Sequence, residues 1–446
     1  MTNLMNRRRN PDRREFLSQS VKGVTGVAVG TGYFVNPAPA RQSSSPNERL
    51  NLAAVGATGR AGANIKGCAS QNIIAVADID SDLLGKGCQP YPQAKQYTDF
   101  RVMLDREAEN IDAVLVGTPD HTHAPAAALA LRLGKHTYCE KPLTHTVYEA
   151  RTLANLASAK DLVTQMGTQI HAQNNYRRVV ELVQAGVIGE VKRVHVWSAA
   201  AYTGARFNPQ PKPDHVNWDL WLGPAKERAY SADIHPFKWR SFWDYGRGAL
   251  GDFGCHYMDL VHWALELQNP VSVKAQGPEP DPVTTPSWCV VDYQYPKRGK
   301  KPPVHLTWYD SGRRPDILSS LKDKQGEPLN PWSSGQLFIG SSGMILSDYS
   351  NHRVFHEGVE VEPKRPEPWI PDSIGHHAEW LAAIREQGKT TCNFHYSGGL
   401  TESVLLGTVA FQSGEEIKWN SKKLQVTNST HAQQFVHKEY RKGWEL

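Results

Sequence analysis

From Leu50 onward, short apolar runs alternate with longer segments in which apolar residues recur every three or four positions. The runs have the length of buried strands, and the periodic segments are typical of amphipathic helices. This alternation predicts a parallel, doubly wound α/β sheet, a Rossmann domain, at residues 50–170. The predicted strands are Leu50–Val55, Ile73–Ala77, Ile111–Val116, His136–Glu140 and Leu162–Met166. The predicted helices include Asp99–Arg106, Pro125–Leu133 and Thr144–Ala159.

The pattern changes in residues 171–446, where several apolar runs follow one another without helices between them. Gly343 and Gly358 separate such runs, as the turns of β-hairpins do. A second domain of α+β type, built on a large, open, mostly antiparallel sheet, is therefore predicted. Helices are predicted at Tyr176–Ala185, His376–Arg385 and Leu400–Phe411. The long irregular stretches 202–241 and 312–334 are expected to shape a binding pocket, since loops of that length are often functional.

The N-terminus has a different composition from the rest of the chain. Residues 1–40 hold six basic and two acidic residues of a chain whose formal charge is +5, so the remainder is nearly neutral. A nearly neutral body argues against nucleic acid or an anionic membrane as a partner. Paired arginines, a weakly apolar Gly-rich stretch and an A-x-A type cleavage site follow in order, as in a twin-arginine signal peptide. A disordered basic tail is the alternative.

The apolar part of residues 1–40 is too short and too Gly-rich to predict a membrane-spanning helix. Residues 41–49 are predicted to be a linker, which would leave the mature protein periplasmic or secreted. Because the twin-arginine route exports folded proteins, a nicotinamide enzyme sent along it would have to carry its own cofactor.

A Gly-rich turn follows the first predicted strand and precedes a helical pattern, the context in which a dinucleotide fingerprint is credible. The turn comprises Gly56, Ala57, Thr58, Gly59 and Arg60. Thr58 stands where the usual motif has its second Gly, so the turn taken alone could equally be an ordinary strand–helix connection.

Asp78 strengthens the nucleotide interpretation because it ends the second predicted strand, 22 residues after Gly56. A carboxylate at this spacing accepts hydrogen bonds from the adenosine ribose and repels a 2′-phosphate, which favours NAD over NADP. A helix N-cap is the alternative role for Asp78.

The later strands of the predicted sheet also end in polar residues, and ligands of such sheets bind at the carboxyl ends of the strands. Cofactor-contacting residues are expected there at Thr118, Pro119, His121, His123, Glu140, Lys141 and Gln169. The two histidines could suggest a metal, but the paired spacings and Cys ligands of structural zinc sites are missing, so no metal is predicted.

Asp252 and His256 lie four residues apart, a spacing that puts both side chains on one face of a helix. A histidine near its ordinary pKa, or a buried lysine such as Lys141, can take the proton of a hydroxyl group during hydride transfer. A core histidine without catalytic function is the alternative for His256. Tyr202 and Trp239 are predicted to contact substrate because aromatic rings stack on sugar faces, although each could equally be loop core.

Taken together, these motifs resemble the glucose–fructose oxidoreductase/inositol dehydrogenase (Gfo/Idh/MocA) family, and those of the second half resemble its secreted branch. The motifs are Gly56-x-x-Gly59-x-x-Gly62, Asp78, Gly117-Thr118-Pro119, Glu140-Lys141-Pro142, Asn217–Pro224 and Gly251–Asp259. The resemblance extends from Leu50 to about Lys422. It implies catalytic roles for Lys141, Asp252 and His256, and a second domain whose sheet often forms the interface of a dimer or tetramer.

The sequence therefore predicts an exported oxidoreductase with tightly bound NAD. It would transfer a hydride to or from a secondary hydroxyl of a sugar, polyol or glycoside. Two alternatives remain open. One is a glycoside hydrolase or lyase that oxidises and re-reduces its substrate with the same NAD, and the other is a non-catalytic sugar-binding relative.

Overall fold

The computed structural model describes residues 49–330 and 332–446. The predicted signal peptide, and the linker before its last residue, lie outside the described residues. Within the described residues no helix combines the length and the apolar character needed to cross a bilayer.

The first sheet has six parallel strands in the order β3-β2-β1-β4-β5-β6 and confirms the predicted Rossmann sheet. Its strands are β1 (Asn51–Val55), β2 (Asn72–Ala77), β3 (Lys95–Tyr97), β4 (Ala113–Val116), β5 (His136–Glu140) and β6 (Thr164–Gly167). The helices that alternate with them are α1 (Gly59–Gly67), α2 (Ser81–Cys88), α3 (Phe100–Arg106), α4 (Asp120–Arg132) and α5 (Val147–Ala159). The strand order reverses direction between β1 and β4, so the ligand crevice of such a sheet opens there.

Helix α4 begins at Asp120, five residues before the predicted start at Pro125. A proline inside a helix leaves the carbonyl four residues earlier without its helical donor. Here that carbonyl belongs to His121, and Nζ of Lys438 donates a hydrogen bond to it at 3.2 Å. A residue more than 300 positions away therefore permits the extra helical turn, which local sequence does not reveal.

The second sheet has ten strands in the described residues and is mostly antiparallel, with one parallel pair between β7 and β10. Its strands are β7 (Arg193–Trp197), β8 (Ser272–Gln276), β9 (Val290–Tyr295), β10 (Val304–Tyr309), β11 (Gly335–Ile339), β12 (Met344–Ser347), β13 (His352–His356), β14 (Val359–Val361), β15 (Ile417–Asn420) and β16 (Gln425–Val426). The helices are α6 (Asn174–Gln184), α7 (Trp218–Leu222), α8 (Gly248–Leu265), α9 (His376–Glu386), α10 (Phe394–Ser413) and α11 (Thr430–Gln433). Short 3-10 helices lie at Gln169–Ala172, Lys238–Ser241 and Asp316–Ser320.

One continuous apolar core joins the two sheets, because buried side chains of β4–β6 and of β7–β10 belong to the same cluster with α8 and α10. Helix α9 instead packs on the other face of the Rossmann sheet, where Trp380 and Ile384 join the core of β1 and β2. His376 is buried, and its Nε2 donates to the main-chain oxygen of Met166 in β6 at 2.8 Å, while His377 stacks on Tyr138.

Candidate functional site

The Gly-rich turn after β1 has the shape that a dinucleotide requires. Gly56 has φ +97°, and a Cβ on it would lie 2.9 Å from Cβ of Ala61 and 3.2 Å from the carbonyl oxygen of Gly117. Thr58 is the N-cap of α1, yet its side chain makes no capping bond within the described residues and the first turn carries no acidic residue. The helix N-terminus can therefore offer its amides to a pyrophosphate, and the turn fits NAD.

The Asp78 carboxylate lies directly against this turn. Its Oδ2 accepts a hydrogen bond from the amide of Ala57 at 2.9 Å, and its Oδ1 accepts from the amide of Asp80 at 3.1 Å. Burial raises the pKa of Asp78, and these backbone amides act in the opposite direction. Both predicted halves of the nucleotide motif are thus adjacent in space, with Gly59 and Arg60 exposed at the start of α1.

Glu140 and Gln169 lie together at the ends of β5 and β6. Oε1 of the buried Glu140 accepts hydrogen bonds from Nδ2 of Asn64 at 2.9 Å and from Nε2 of Gln169 at 2.6 Å. Burial raises the pKa of this carboxyl group, and its hydrogen bond from Asn64 and the charge of Lys141 lower it. Because Asn64 belongs to α1, Glu140 connects the cofactor helix to the strand that carries Lys141.

Lys141 and Asp252 form an ion pair in the crevice between the two sheets, although 111 positions separate them. Nζ of Lys141 donates to the main-chain oxygen of Asp252 at 2.8 Å and also to its Oδ1. The hydroxyl of Tyr202 donates to Oδ2 of the same carboxylate. Burial alone would raise the pKa of Asp252, but the charges of Lys141 and Arg240 hold it below its ordinary value.

His256 lies one turn after Asp252 on α8, which includes both residues as predicted. Its Nδ1 is 2.9 Å from Oγ1 of Thr168, and that hydroxyl also donates to the carbonyl of Cys255 at 3.3 Å. Thr168 must then accept from Nδ1–H, so the other ring nitrogen, Nε2, keeps its lone pair. Burial and the charge of Lys141 lower the pKa of His256 well below its ordinary value, which keeps the ring neutral.

Two charged residues of this cluster were missed by sequence reasoning. Nε of Arg240 lies 3.3 Å from Oδ1 of Asp252, and its guanidinium covers the ring of Trp239 at 4.1 Å from the centroid. Trp239 is otherwise buried in an aromatic cluster, so it positions Arg240 rather than presenting a free face to a sugar. Asp120, the other missed residue, is buried in the first turn of α4. No local signal separates either from ordinary loop and helix-start residues.

The two histidines after Asp120 differ in position. His123 lies between two loops, with Nδ1 2.8 Å from the carbonyl of Pro142 and Nε2 2.8 Å from that of Thr118. His121 lies fully buried between Trp221 and Tyr245, and its Nε2 is 2.8 Å from the carbonyl of Trp221. Burial lowers the pKa of His123 to about 4 and that of His121 to about 3. The structure thus brings His123, but not His121, next to Thr118, Pro119 and Lys141.

The irregular segment 202–245 connects this cluster to the nucleotide end of the crevice. It has its own aromatic core, which packs on Ile79. The amide of Asn217 donates to the carbonyl of Ile79 at 2.9 Å, the amide of Ser81 donates to that of His215 at 2.9 Å, and Asp80 pairs with Val216. These contacts, here called the 215–217 clamp, cover the residues that follow Asp78.

Two protein-family models match the chain. Residues 27–168 match the NAD-binding Rossmann fold of the GFO/IDH/MocA oxidoreductase family, and residues 173–301 match the C-terminal alpha/beta domain of that family. The predicted NAD-binding domain is therefore confirmed.

Curated relatives match over part of their length. An uncharacterised oxidoreductase of Schizosaccharomyces pombe is 31% identical over 222 residues, 50% of this chain and 52% of the relative. An inositol 2-dehydrogenase/D-chiro-inositol 3-dehydrogenase of Shouchella clausii is 32% identical over 139 residues, 29% of this chain and 39% of the relative. The chain covers 27%, 52% and 60% of the first three relatives' lengths.

Solved structures share the fold at low sequence identity. An inositol dehydrogenase homologue from Azotobacter vinelandii, in complex with NADH and myo-inositol, aligns with a TM-score of 0.58 at 18% identity over 84% of this chain and 98% of that one. The aldose-aldose oxidoreductase of Caulobacter crescentus aligns with a TM-score of 0.57 at 17% identity, covering 83% and 100%. Two matching domain models in the expected order, together with this fold, show that the chain belongs to the GFO/IDH/MocA oxidoreductase family.

Proposed function

We propose that this protein is an NAD-dependent oxidoreductase that transfers a hydride to or from a secondary hydroxyl of a sugar, polyol or glycoside. The observation that carries the proposal is the cluster of Lys141, Asp252 and His256 at the carboxyl edge of a NAD-binding sheet. An inositol dehydrogenase among its relatives supports this substrate class.

The residues of the cluster divide the chemistry between them. NAD, when bound, supplies the carbon that accepts or returns the hydride. Nε2 of His256 carries a lone pair and accepts the proton of the substrate hydroxyl. The ammonium group of Lys141 stabilises the negative charge that develops on that oxygen. Asp252 holds Lys141 in place and is itself held by Tyr202 and Arg240.

Replacement of Lys141 tests this assignment. Lys141→Ala should bind NAD nearly as the wild type does, because the Gly-rich turn and Asp78 remain, and should lose about 10²–10⁴-fold in kcat. Lys86→Ala, at an exposed position of α2, is the control and should behave as the wild type. Turnover by the Lys141→Ala protein at the wild-type rate would show that Lys141 is not part of the reaction.

We also infer that NAD stays bound between turnovers. The support is the 215–217 clamp, which covers the nucleotide end of the crevice with backbone hydrogen bonds and a packed aromatic core. Purified protein should retain about one NAD per chain after gel filtration and release it on denaturation. Purified protein that is free of nucleotide, and that exchanges NAD faster than it turns over, would contradict tight binding.

The clamp also favours one rival function, the redox-neutral cleavage of glycosides, because that reaction returns the hydride to the substrate and needs no cofactor exchange. Aryl glycosides offered without added NAD separate the two functions. Release of the phenol without accumulation of NADH would support the rival. NADH formation from a polyol without bond cleavage would support the dehydrogenase.

The export and assembly of the protein are further parts of this proposal. The paired Arg13 and Arg14 support transport by the twin-arginine route to the periplasm or the medium. Arg13→Lys together with Arg14→Lys should keep the protein in the cytoplasm, as fractionation would show.

A homo-oligomer is proposed on the family resemblance alone. Light scattering coupled to gel filtration should give the mass of a dimer or tetramer, and a monomer would reject it.

A further inference from the structure

Asp120 is a buried carboxyl group in the crevice, and no hydrogen bond accounts for its burial. Its residue is 2% exposed, and its Oδ2 has no hydrogen-bond partner anywhere in the described chain. A buried carboxylate without partners costs several kcal/mol in order of magnitude, and such groups are rare outside functional sites. The carboxylate of the neighbouring Asp252, by contrast, accepts from Lys141 and Tyr202 and lies beside the charge of Arg240.

The fold places Asp120 beside Lys141. The two residues follow the adjacent parallel strands β4 and β5, which are in register at Val116 and Cys139. The ring of His123 lies between the loops that carry them, with Nδ1 2.8 Å from the carbonyl oxygen of Pro142 and Nε2 2.8 Å from that of Thr118, and the neutral ring donates to one of the two. The position of Asp120 relative to Lys141 is therefore set chiefly by the backbone pairing of the two strands.

Charged groups from every element packed around Asp120 act on it. Arg240 of the irregular segment and Lys141 after β5 favour its anion, as does Arg247, the N-cap residue of α8, while Asp252 on that helix disfavours it. On α4 itself, His121 and His123 are buried and neutral. Burial outweighs these charges and raises the pKa of Asp120 to about 7. Asp120 can thus gain or lose a proton near neutral pH.

His256 does not retain a proton, because burial and the charge of Lys141 both disfavour the imidazolium form. Asp252 does not retain one either, because the charges of Lys141 and Arg240 stabilise its anion. A proton removed from the substrate therefore needs another acceptor within the crevice.

We propose that Asp120 is the proton store of this site, and this rests on the proposed oxidoreductase function. During oxidation the substrate O–H bond breaks and its proton passes to His256. The proton then passes from His256 to the Asp120 carboxylate, so that His256 ends as a neutral imidazole and Asp120 as a neutral carboxyl group. The hydride leaves with its electron pair for NAD, and the reverse transfers restore both groups. Proton and hydride are thus kept in the same crevice for a reaction that runs in a closed cycle.

The proposal predicts a difference between the two cofactor forms. The nicotinamide ring is positively charged when oxidised and neutral when reduced, so the reduced form favours protonated Asp120. Calorimetric titration of the apoprotein in two buffers of different ionisation enthalpy measures the protons taken up with each form. At pH 7, NADH should bind with more proton uptake than NAD, by a fraction of a proton per chain.

Matched variants identify the group responsible. Asp120→Asn should remove the difference in proton uptake, whereas Asp105→Asn, at an exposed position of α3, should preserve it. Equal uptake with both forms in the wild type, or an unchanged difference in Asp120→Asn, would overturn the proposal.

A measurement on the wild type covers the case in which the variant does not fold. Infrared difference spectra between acid and neutral pH should show a protonated carboxyl band that disappears with a midpoint near pH 7, about the pKa of Asp120. Absence of that band overturns the proton store. If neither cofactor form binds, the proposed oxidoreductase function fails, and the band still decides whether Asp120 titrates near neutrality.

Discussion

The protein contains two buried lysine–carboxylate pairs that are alike in composition and different in surroundings. Lys141 and Asp252 have side chains that are 12% and 8% exposed, and Lys438 and Glu149 have side chains that are 16% and 0% exposed. By burial and charge alone, the two pairs could not be told apart.

The pair formed by Glu149 on α5 and Lys438 near the C-terminus is fully hydrogen-bonded. Oε2 of Glu149 accepts from the amides of His145 and Thr146 at 2.9 Å, and Oε1 accepts from Nζ of Lys438 at 2.9 Å and the hydroxyl of Tyr440 at 3.0 Å. Glu149 thereby completes the capping box of α5, while Lys438 also donates a hydrogen bond to the carbonyl of His121. Both carboxylate oxygens of Glu149 and the ammonium group of Lys438 therefore have hydrogen-bond partners within the fold.

Lys141 and Asp252 lie among further charged groups, and not all of these groups are hydrogen-bonded. Two cations and two carboxyl groups meet there, and one of those groups, Asp120, accepts no hydrogen bond from the described residues. A cluster of this kind raises the free energy of the folded state and is retained where chemistry needs it. Among the described residues, the pair in the crevice therefore has an unpartnered buried carboxyl oxygen, Oδ2 of Asp120, beside it, and the pair of Glu149 and Lys438 has none.

The largest expected effect is on stability when each lysine is replaced. Lys438→Met leaves the buried Glu149 without its cation and the carbonyl of His121 without a donor, so the free energy of unfolding should fall by about 3 kcal/mol or more. Lys141→Met should lower it by less than Lys438→Met does, because Asp252 keeps Arg240 and Tyr202 beside its carboxylate. Chemical denaturation of both variants measures the difference, and equal losses would remove the distinction between the pairs.

The next effect is a pH dependence caused by Asp120. An unfolded aspartate has a pKa of about 3.9, and the folded pKa is about 7. Between these values the folded state keeps a proton that the unfolded state has lost, so the free energy of unfolding falls as pH rises, by up to about 4 kcal/mol. Asp120→Asn lacks this loss and should gain stability over the wild type between pH 5 and pH 8. Parallel stability curves would contradict the raised pKa.

The smallest effect concerns the two tyrosines that donate to these carboxylates. Tyr440→Phe should lower the free energy of unfolding by about 1 kcal/mol, because it leaves a buried acceptor short of one donor. Tyr202→Phe should lower stability less and should mainly reduce kcat, because it loosens the carboxylate that holds Lys141. A loss of stability in Tyr202→Phe as large as that in Tyr440→Phe would contradict the expected difference between the two tyrosines.

Much of the nucleotide half could be predicted from the sequence. The strand–turn–helix pattern around Gly56 and the acid at Asp78 depend on residues close together in the chain, and the structure joins them through one hydrogen bond. Strand β5 begins and ends at the predicted residues, because its apolar run is bounded by polar residues and by Pro142.

The substrate half could be predicted less well. Trp239 was predicted either to contact substrate or to belong to a loop core, and its ring lies in an aromatic core with Arg240 over it. His121 was expected at the cofactor, and it lies between Trp221 and Tyr245. For His121 the residue type was correct evidence for an interaction, but its partners came from a distant part of the chain.

Local sequence specified the alternation of strands and helices in the first domain, apart from β3 and α2, together with the Gly-rich turn, Asp78 and the position of Lys141 at a strand end. Each of these depends on local periodicity or on backbone conformation, which neighbouring residues specify. Tertiary packing alone brings the partners of Lys141 together. Asp252 lies 111 positions from Lys141 in the sequence, and Tyr202 lies 50 positions from Asp252, to which it donates a hydrogen bond. The tertiary structure also decided that Asp252 is ionised while Asp120 titrates near neutrality, because burial and surrounding charge set a pKa and both arise from packing.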